Sequence, residues 1–336
     1  MNVNAVHHYV CPKTKGKLKL EILLRDGENV LEGYLTTSEG TVYEIHGGVP
    51  NFVNPFDMAL SDTRSKAWYD SNAKEYEEYL HLTFDSFGAK EAEVRGEMID
   101  KLCIGDNSTV LEVGAGTGRD SVVIAQRMQK GGMLFLQDIS LPVLEMNIAK
   151  SSGDKLAREY HLGNACSLPF PNDFFDSAFH FGGLNTFSDI SAFFEETNRV
   201  VKPGGKVVVG DEGVPVWLKD TEYAQILMNS NPNYKFDIPL NQLPTSCRKV
   251  RVEWILGEVF YVIDYVVGEG DPVADFDFEI PGARGGTHKT RFYGQLEGVT
   301  DEAKKLAHTA AVKRGLSMHA WLDSVVREAA LREQND

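Results

Sequence analysis

Two periodicities alternate along the chain from residue 109. Short apolar runs at 109–113 (TVLEV), 133–136 (MLFL), 175–181 (FDSAFHF) and 206–210 (KVVVG) read as buried strands. Between them, 120–129, 142–151 and 190–201 repeat their apolar residues at helical spacing. Strand and helix in strict alternation predict an α/β fold: a parallel, doubly wound sheet with helices on both faces. A helix is expected near 217–228. Two β-rich runs, 250–256 and 259–267, meet at Gly257 and predict an antiparallel hairpin at the sheet's edge.

The flanks read differently. Residues 1–55 hold short strands, at 17–24 and 42–45, punctuated by Gly47-Gly48 and Pro50, and form a small β-rich domain that ends near Asn54-Pro55. Residues 61–102 are helical. Residues 268–286 are a turn-rich linker. Beyond it, 289–297 alternates as a strand would. Thr300 then caps a helix that Gly315 stops, and Ser317 caps a second helix with Met318, Leu322, Val325 and Ala329 on one face. The expected organisation is 1–55, 61–268 and a strand-helix-helix unit at 287–336.

The chain carries 34 Lys and Arg against 49 Asp and Glu, a formal net charge of −15. That sign argues against a surface built for a phosphate backbone. Cys11, Cys103, Cys166 and Cys247 form no CxxC pair, so no metal site and no disulfide framework is expected. No apolar run is long enough to span a bilayer, and the opening MNVNAVHHYVCPK lacks the pattern of a secretory leader. The expectation is a cytoplasmic protein with no membrane partner.

The chemistry concentrates in VLEVGAGTGRD (110–120). A strand, a glycine-rich turn and a helix N-terminus let backbone approach a ligand closely. The segment lacks the Gly-Lys-Ser/Thr of a Walker loop and misses the GxGxxG spacing by one residue. Glu112 would repel a pyrophosphate but favour a cation. Asp138, twenty residues past Gly118 at the end of the next strand, can accept from ribose hydroxyls. The ligand so described has a ribose, a positive group and no phosphate.

In these features the chain resembles the class I S-adenosylmethionine (SAM)-dependent methyltransferases. The likeness covers about 110–212. It rests on Glu112 to Gly118, Asp138 in QDIS, GNACSLPF (163–170), Phe175-Asp176 with FHFGGLNTF, and RVVKPGG (199–205). It implies a Rossmann-like sheet with an antiparallel terminal hairpin, and SAM as cofactor. It assigns the cofactor to Glu112, Gly114, Ala115, Gly116, Thr117, Gly118, Asp138, Ile139, Asn164, Ala165 and Phe181. Asn164 departs from the family, which has Asp there to accept from the adenine amino group; an Asn oxygen still accepts, without the charge.

Methyl transfer is mostly positioning, with a base required only if the nucleophile must lose a proton. His180, Glu212 and Tyr69 are the catalytic candidates; Asn185 follows the same strand as His180 and Asp211 precedes Glu212, while Tyr69, with Tyr76 and Tyr79, lies on the helical segment that often lids folds of this family. Each could equally pack in a core. Residues 11–18 and 42–50 resemble a small zinc-ribbon domain that has lost its ligands: Cys11 remains, with Thr14, Thr36 and Glu39 in the other places. The C-terminal unit resembles a ribbon-helix-helix, which implies a homodimer or DNA binding; the charge favours the homodimer. The expected acceptor is a small molecule. An RNA methyltransferase and a SAM-responsive, DNA-binding regulator are the alternatives.

Overall fold

In the computed structural model, residues 1–128, 131–151, 153, 155–282, 285–293 and 299–335 are described. Met1–Gly270 and Asp271–Asp336 form two compact units.

The first unit opens with a four-stranded antiparallel sheet, β1 (Lys19–Asp26), β2 (Asn29–Thr36), β3 (Val42–His46) and β4 (Val49–Pro50), paired in that order. Helices α1 (Leu60–Tyr79), α2 (Leu82–Asp85) and α3 (Glu91–Asp100) follow. The alternating region then gives β5 (Thr109–Val113), α4 (Arg119–Arg127), β6 (Met133–Asp138), α5 (Leu141–Lys150), β7 (Ala157–Leu162), β8 (Phe175–Phe181), α6 (Ile190–Val200) and β9 (Val201–Glu212). After α7 (Glu222–Ser230) come β10 (Cys247–Ile255) and β11 (Phe260–Val267).

The seven strands form one sheet in the order β10-β11-β9-β8-β5-β6-β7. β9, β8, β5, β6 and β7 run parallel, and β11 is antiparallel to both β9 and β10. This is the Rossmann-like sheet with an antiparallel hairpin that the sequence predicts. β5 is central because Val110, Leu111, Glu112 and Val113 are all buried, as a strand covered on both faces requires. Burying one such Val or Leu contributes about 1.5–3 kcal/mol. Strand order reverses between β5 and β8, so a crevice opens at their C-terminal ends.

The N-terminal sheet shares its core with the large one. Tyr9, Val30, Leu35, Ile45 and Phe52 cluster with Phe135, Phe170 and Phe175. The Phe52 amide donates to the Leu162 carbonyl at 2.8 Å, which ties the small sheet to the edge at β7. Cys11 Sγ lies 3.2 Å from the Tyr43 hydroxyl and receives the Thr14 amide at 3.5 Å. Among the described residues no group of three or more His, Cys, Asp or Glu could hold a metal ion. Nor is any helix there long and apolar enough to cross a membrane.

The second unit corrects one expectation. The alternation at 289–297 does not make a strand over its described part: His288–Tyr293 is a short helix, α8, and 294–297 lie outside the described residues. The Thr287 hydroxyl accepts from the Thr290 amide at 3.1 Å, and that local bond starts a helical turn where side-chain alternation suggested extension. The two later helices stand as expected, as α9 (Asp301–Lys313) and α10 (Met318–Asn335). Thr300 caps the first through the Ala303 amide, and the Ser317 hydroxyl accepts from the Ala320 amide at 3.1 Å.

Candidate active site

Two adjoining cavities open at the C-terminal ends of the parallel strands. The first lies beside the glycine loop. Gly114, Gly116, Asp138, Ile139, Asn164 and Ala165 line it, with His180 and Phe181. The second is lined by Tyr69, Tyr76, Tyr79, Phe181, Glu212 and Phe260, together with Ala115 and Thr117 of the glycine loop. Tyr69, Tyr76 and Phe181 belong to both. Most of the residues named from the sequence lie along this one crevice.

Glu112 and Gly118 line neither cavity. Glu112 is 2% exposed, and its Oε2 accepts from the Ser121 hydroxyl at 2.6 Å. Burial, with Asp120 nearby, holds its carboxyl well above the usual range. Its place is beneath the loop, where it braces the start of α4. Gly118 has φ of +90°, and a Cβ there would stand 2.6 Å from Asn147 Oδ1. Asn147 Nδ2 in turn donates to the Ala115 carbonyl at 3.3 Å and to the Ser121 hydroxyl at 2.8 Å. The loop is thus held from behind by α5.

Asp138 holds the loop from the front. Its Oδ2 accepts from the Gly116 amide at 2.8 Å and its Oδ1 from the Ser140 amide at 2.9 Å. The Ile139 amide bonds the carboxylate as well, so of about four acceptor positions one stays open. Burial pushes the carboxyl up to about 6, against the opposing pull of those amides.

His180 Nδ1 lies 2.8 Å from the Val113 carbonyl, which makes it the protonated nitrogen. Nε2 is then an acceptor, buried and without a partner among the described residues. Burial lowers its pKa, so the ring is neutral. It packs against Phe187 and Phe193 and sits beneath Gly114, whose Cβ would come 3.2 Å from Nδ1. His180 is therefore both a packed ring and a wall of the cavity.

Asp211 is fully buried and accepts from the amides of Gly183 and Asn185 at 3.2 and 2.7 Å. It shapes the loop after β8. Beside it, burial and then the Asp211 charge push the Glu212 carboxyl well above its ordinary value. Tyr69 and Tyr76 meet edge to face at 5.4 Å, and burial raises both phenols. Asn185 Nδ2 donates to the Glu212 carbonyl at 2.8 Å.

Sequence reading placed Tyr69, Tyr76 and Tyr79 of α1 at the site but missed the carboxylates of that helix. This helix bends at Asn72 and walls both cavities. Three of its carboxylates reach the loops below. Asp62 receives Asn164 and Ser188, Asp70 accepts from the Ser140 hydroxyl at 2.6 Å, and Glu77 bonds Thr117, Arg119 and Lys150. Their spacing of two helical turns was the available signal, and it looks the same on any solvated helix face.

Comparison with known proteins agrees with this geometry. A family described as "Methyltransferase domain" matches residues 111–209. The chain is 32% identical over 112 residues to the ubiquinone/menaquinone biosynthesis C-methyltransferase UbiE of Pectobacterium atrosepticum, covering 33% of this chain and 45% of that protein. It is 34% identical over 136 residues to the demethylmenaquinone methyltransferase of Mycobacterium marinum, covering 39% and 53%. The chain thus spans about half the length of these relatives. Among solved structures, phosphoethanolamine N-methyltransferase 2 of Haemonchus contortus with S-adenosyl-L-methionine superposes with a TM-score of 0.49 at 14% identity, over 68% of this chain and 63% of that one.

Proposed function

We propose that this chain, which carries a class I SAM-dependent methyltransferase domain, moves the methyl group of SAM onto a small-molecule acceptor. Asp138 is the observation that carries the reading. A buried carboxylate at the end of β6 fixes the glycine loop, lines the cavity and keeps one acceptor position open, which suits a ribose hydroxyl. When bound, the cofactor supplies a methyl carbon activated by a sulfonium.

The residues of the chain do the rest by placement. The loop glycines admit the cofactor against bare backbone. Phe181, common to both cavities, marks where cofactor and acceptor meet. Tyr69, Tyr76 and Phe260 supply apolar walls for an acceptor, and Glu212 is placed to take a proton that the nucleophile must lose. A raised carboxyl is a stronger base than an ordinary one once ionised. His180 offers Nε2 as a neutral acceptor. The net charge of −15, with Glu75 and Glu212 on the acceptor cleft, argues against an RNA substrate.

Calorimetric titration with SAM and S-adenosylhomocysteine tests the reading. Micromolar binding of both is expected. Folded, cofactor-free protein that binds neither would overturn it.

The C-terminal unit supports a homodimer. Among its described residues only Thr287 and Ala311 are buried, while Leu306, Val312 and Leu331 are more than half exposed. Charges on α10 pair within the helix, Arg327 with Asp323 and Arg332 with Glu328, so two copies can pack without like-charge repulsion. Sedimentation of the full chain should give twice 37.3 kDa, and Leu306→Asp should return it to a monomer. Four free cysteines suit a reducing, cytoplasmic setting.

A further inference from the structure

The cofactor cavity holds a second carboxylate that no sequence motif supplies. Asp62 lies in the first turn of α1, outside the matched region of 111–209, and is 5% exposed. It lines the same cavity as Asp138. Its Oδ2 accepts from Asn164 Nδ2 at 2.9 Å and from the Ser188 hydroxyl at 2.7 Å, and its Oδ1 accepts from the Ser188 amide at 3.0 Å. No Lys or Arg pairs with it among the described residues. A carboxylate offers about four acceptor positions, and three are filled. The fourth remains for a donor within the cavity.

Asn164 cannot serve as that acceptor so readily. Its Oδ1 already receives the Cys166 amide at 2.8 Å, and that bond turns Nδ2 toward Asp62. An aspartate at 164 would set two carboxylates 2.9 Å apart in a buried site, where like charges are costly. Asn at 164 and Asp at 62 are complementary: one position supplies the amide donor, the other the acid.

An adenosine presents two sets of donors, the ribose hydroxyls and the base amino group. The cavity presents two carboxylates, Asp138 beside the glycine loop and Asp62 beside the loop after β7. We infer that Asp62 accepts a hydrogen bond from the adenine amino group and sets the preference for a 6-amino purine. The inference rests on the proposed use of SAM. Because Asp62 is carried by α1, seating the base also seats the helix that walls the acceptor cavity.

The test compares S-adenosylhomocysteine with S-inosylhomocysteine, whose base replaces the amino donor by a carbonyl. Wild-type protein should prefer the adenosyl compound by about 10- to 100-fold, the worth of a hydrogen bond to a charged group. Asp62→Asn should bring the two within about threefold of each other, because the charged acceptor is gone. Asn164→Ala, which removes the alternative acceptor and leaves the Asp62 carboxylate in place, should keep the preference. If Asp62→Asn folds and keeps the full wild-type preference, the inference fails. If Asp62→Asn does not fold, Asn164→Ala decides: a preference near wild type upholds the inference, and equal binding of the two compounds ends it. Wild-type protein that binds both compounds equally also overturns it. Binding of neither by folded wild-type protein refutes instead the proposed use of SAM.

Discussion

Asp138 Oδ2 and the Gly116 amide are 2.8 Å apart, so the residue expected to hold the ribose also holds the loop that receives the cofactor. Removing it loses both. Asp138→Ala should weaken S-adenosylhomocysteine binding by about 1.5–3 kcal/mol. Calorimetry measures this, and an unchanged dissociation constant removes Asp138 from the site.

The same carboxyl makes binding depend on pH. Burial pushes it up to about 6, and ribose hydroxyls favour its ionised form. Affinity should therefore rise as pH rises through about 6 and then level off, changing up to about tenfold per unit below that point. Folding has the opposite sense. The folded pKa is raised, so the associated stability is fully present below the unfolded value of 3.8 and is lost as pH rises through about 6. Asp138→Asn should flatten both profiles, read by calorimetry and by denaturant titration.

Glu212→Gln separates proton removal from binding. Once an acceptor is in hand, kcat should fall about 100- to 10,000-fold if the acceptor loses a proton to Glu212. S-adenosylhomocysteine affinity should stay as in wild type, because Glu212 lines the acceptor cavity and not the cofactor cavity. A full wild-type rate in the variant would assign the base elsewhere.

Arg95 carries a structural prediction. Its guanidinium donates to Asp120 at 2.6 Å and to Glu91 at 2.8 Å, and lies 5.0 Å from the Phe84 ring centroid. Arg95→Ala leaves Asp120 buried without its partner and should cost about 3–5 kcal/mol of stability. Arg95→Met, which refills the volume without the charge, tests how much of that loss is packing. Denaturant midpoints decide between them.

Gly118→Ala should destabilise by about 1–3 kcal/mol, because φ of +90° strains any side chain and Asn147 already fills the space. A variant as stable as wild type would show that α5 yields there.

The central sheet was legible because its strands are covered on both faces and read as unbroken apolar runs. β7 was not. Its sequence AREYHL buries Glu159 and His161, polar residues that break the run expected of a strand. The cofactor loop was legible because glycine spacing and flanking acids are local. Which residues face the cavity was not: Glu112 sits in the motif yet points its oxygens at Ser121, while Asp62, forty-eight residues before the matched segment's neighbour Val110, faces the cavity. At the C-terminus the pattern 289–297 alternates, but Thr287 and Thr290 bond each other locally and start a helix.

The three carboxylates of α1 have a kinetic consequence on the proposed function. Asp62, Asp70 and Glu77 fasten one bent helix across the loops after β7, β6 and β5. Asp62 and Tyr69 of that helix wall the first cavity and Tyr69 and Tyr76 the second, so on the proposed function a spent cofactor would leave past the helix that also walls the acceptor. On the proposed function, product departure and cofactor exchange would then share one opening event, and loosening those fastenings would speed both. Salt, which loosens the pairs of Glu77 with Arg119 and Lys150, would quicken that opening and shorten the residence of both ligands.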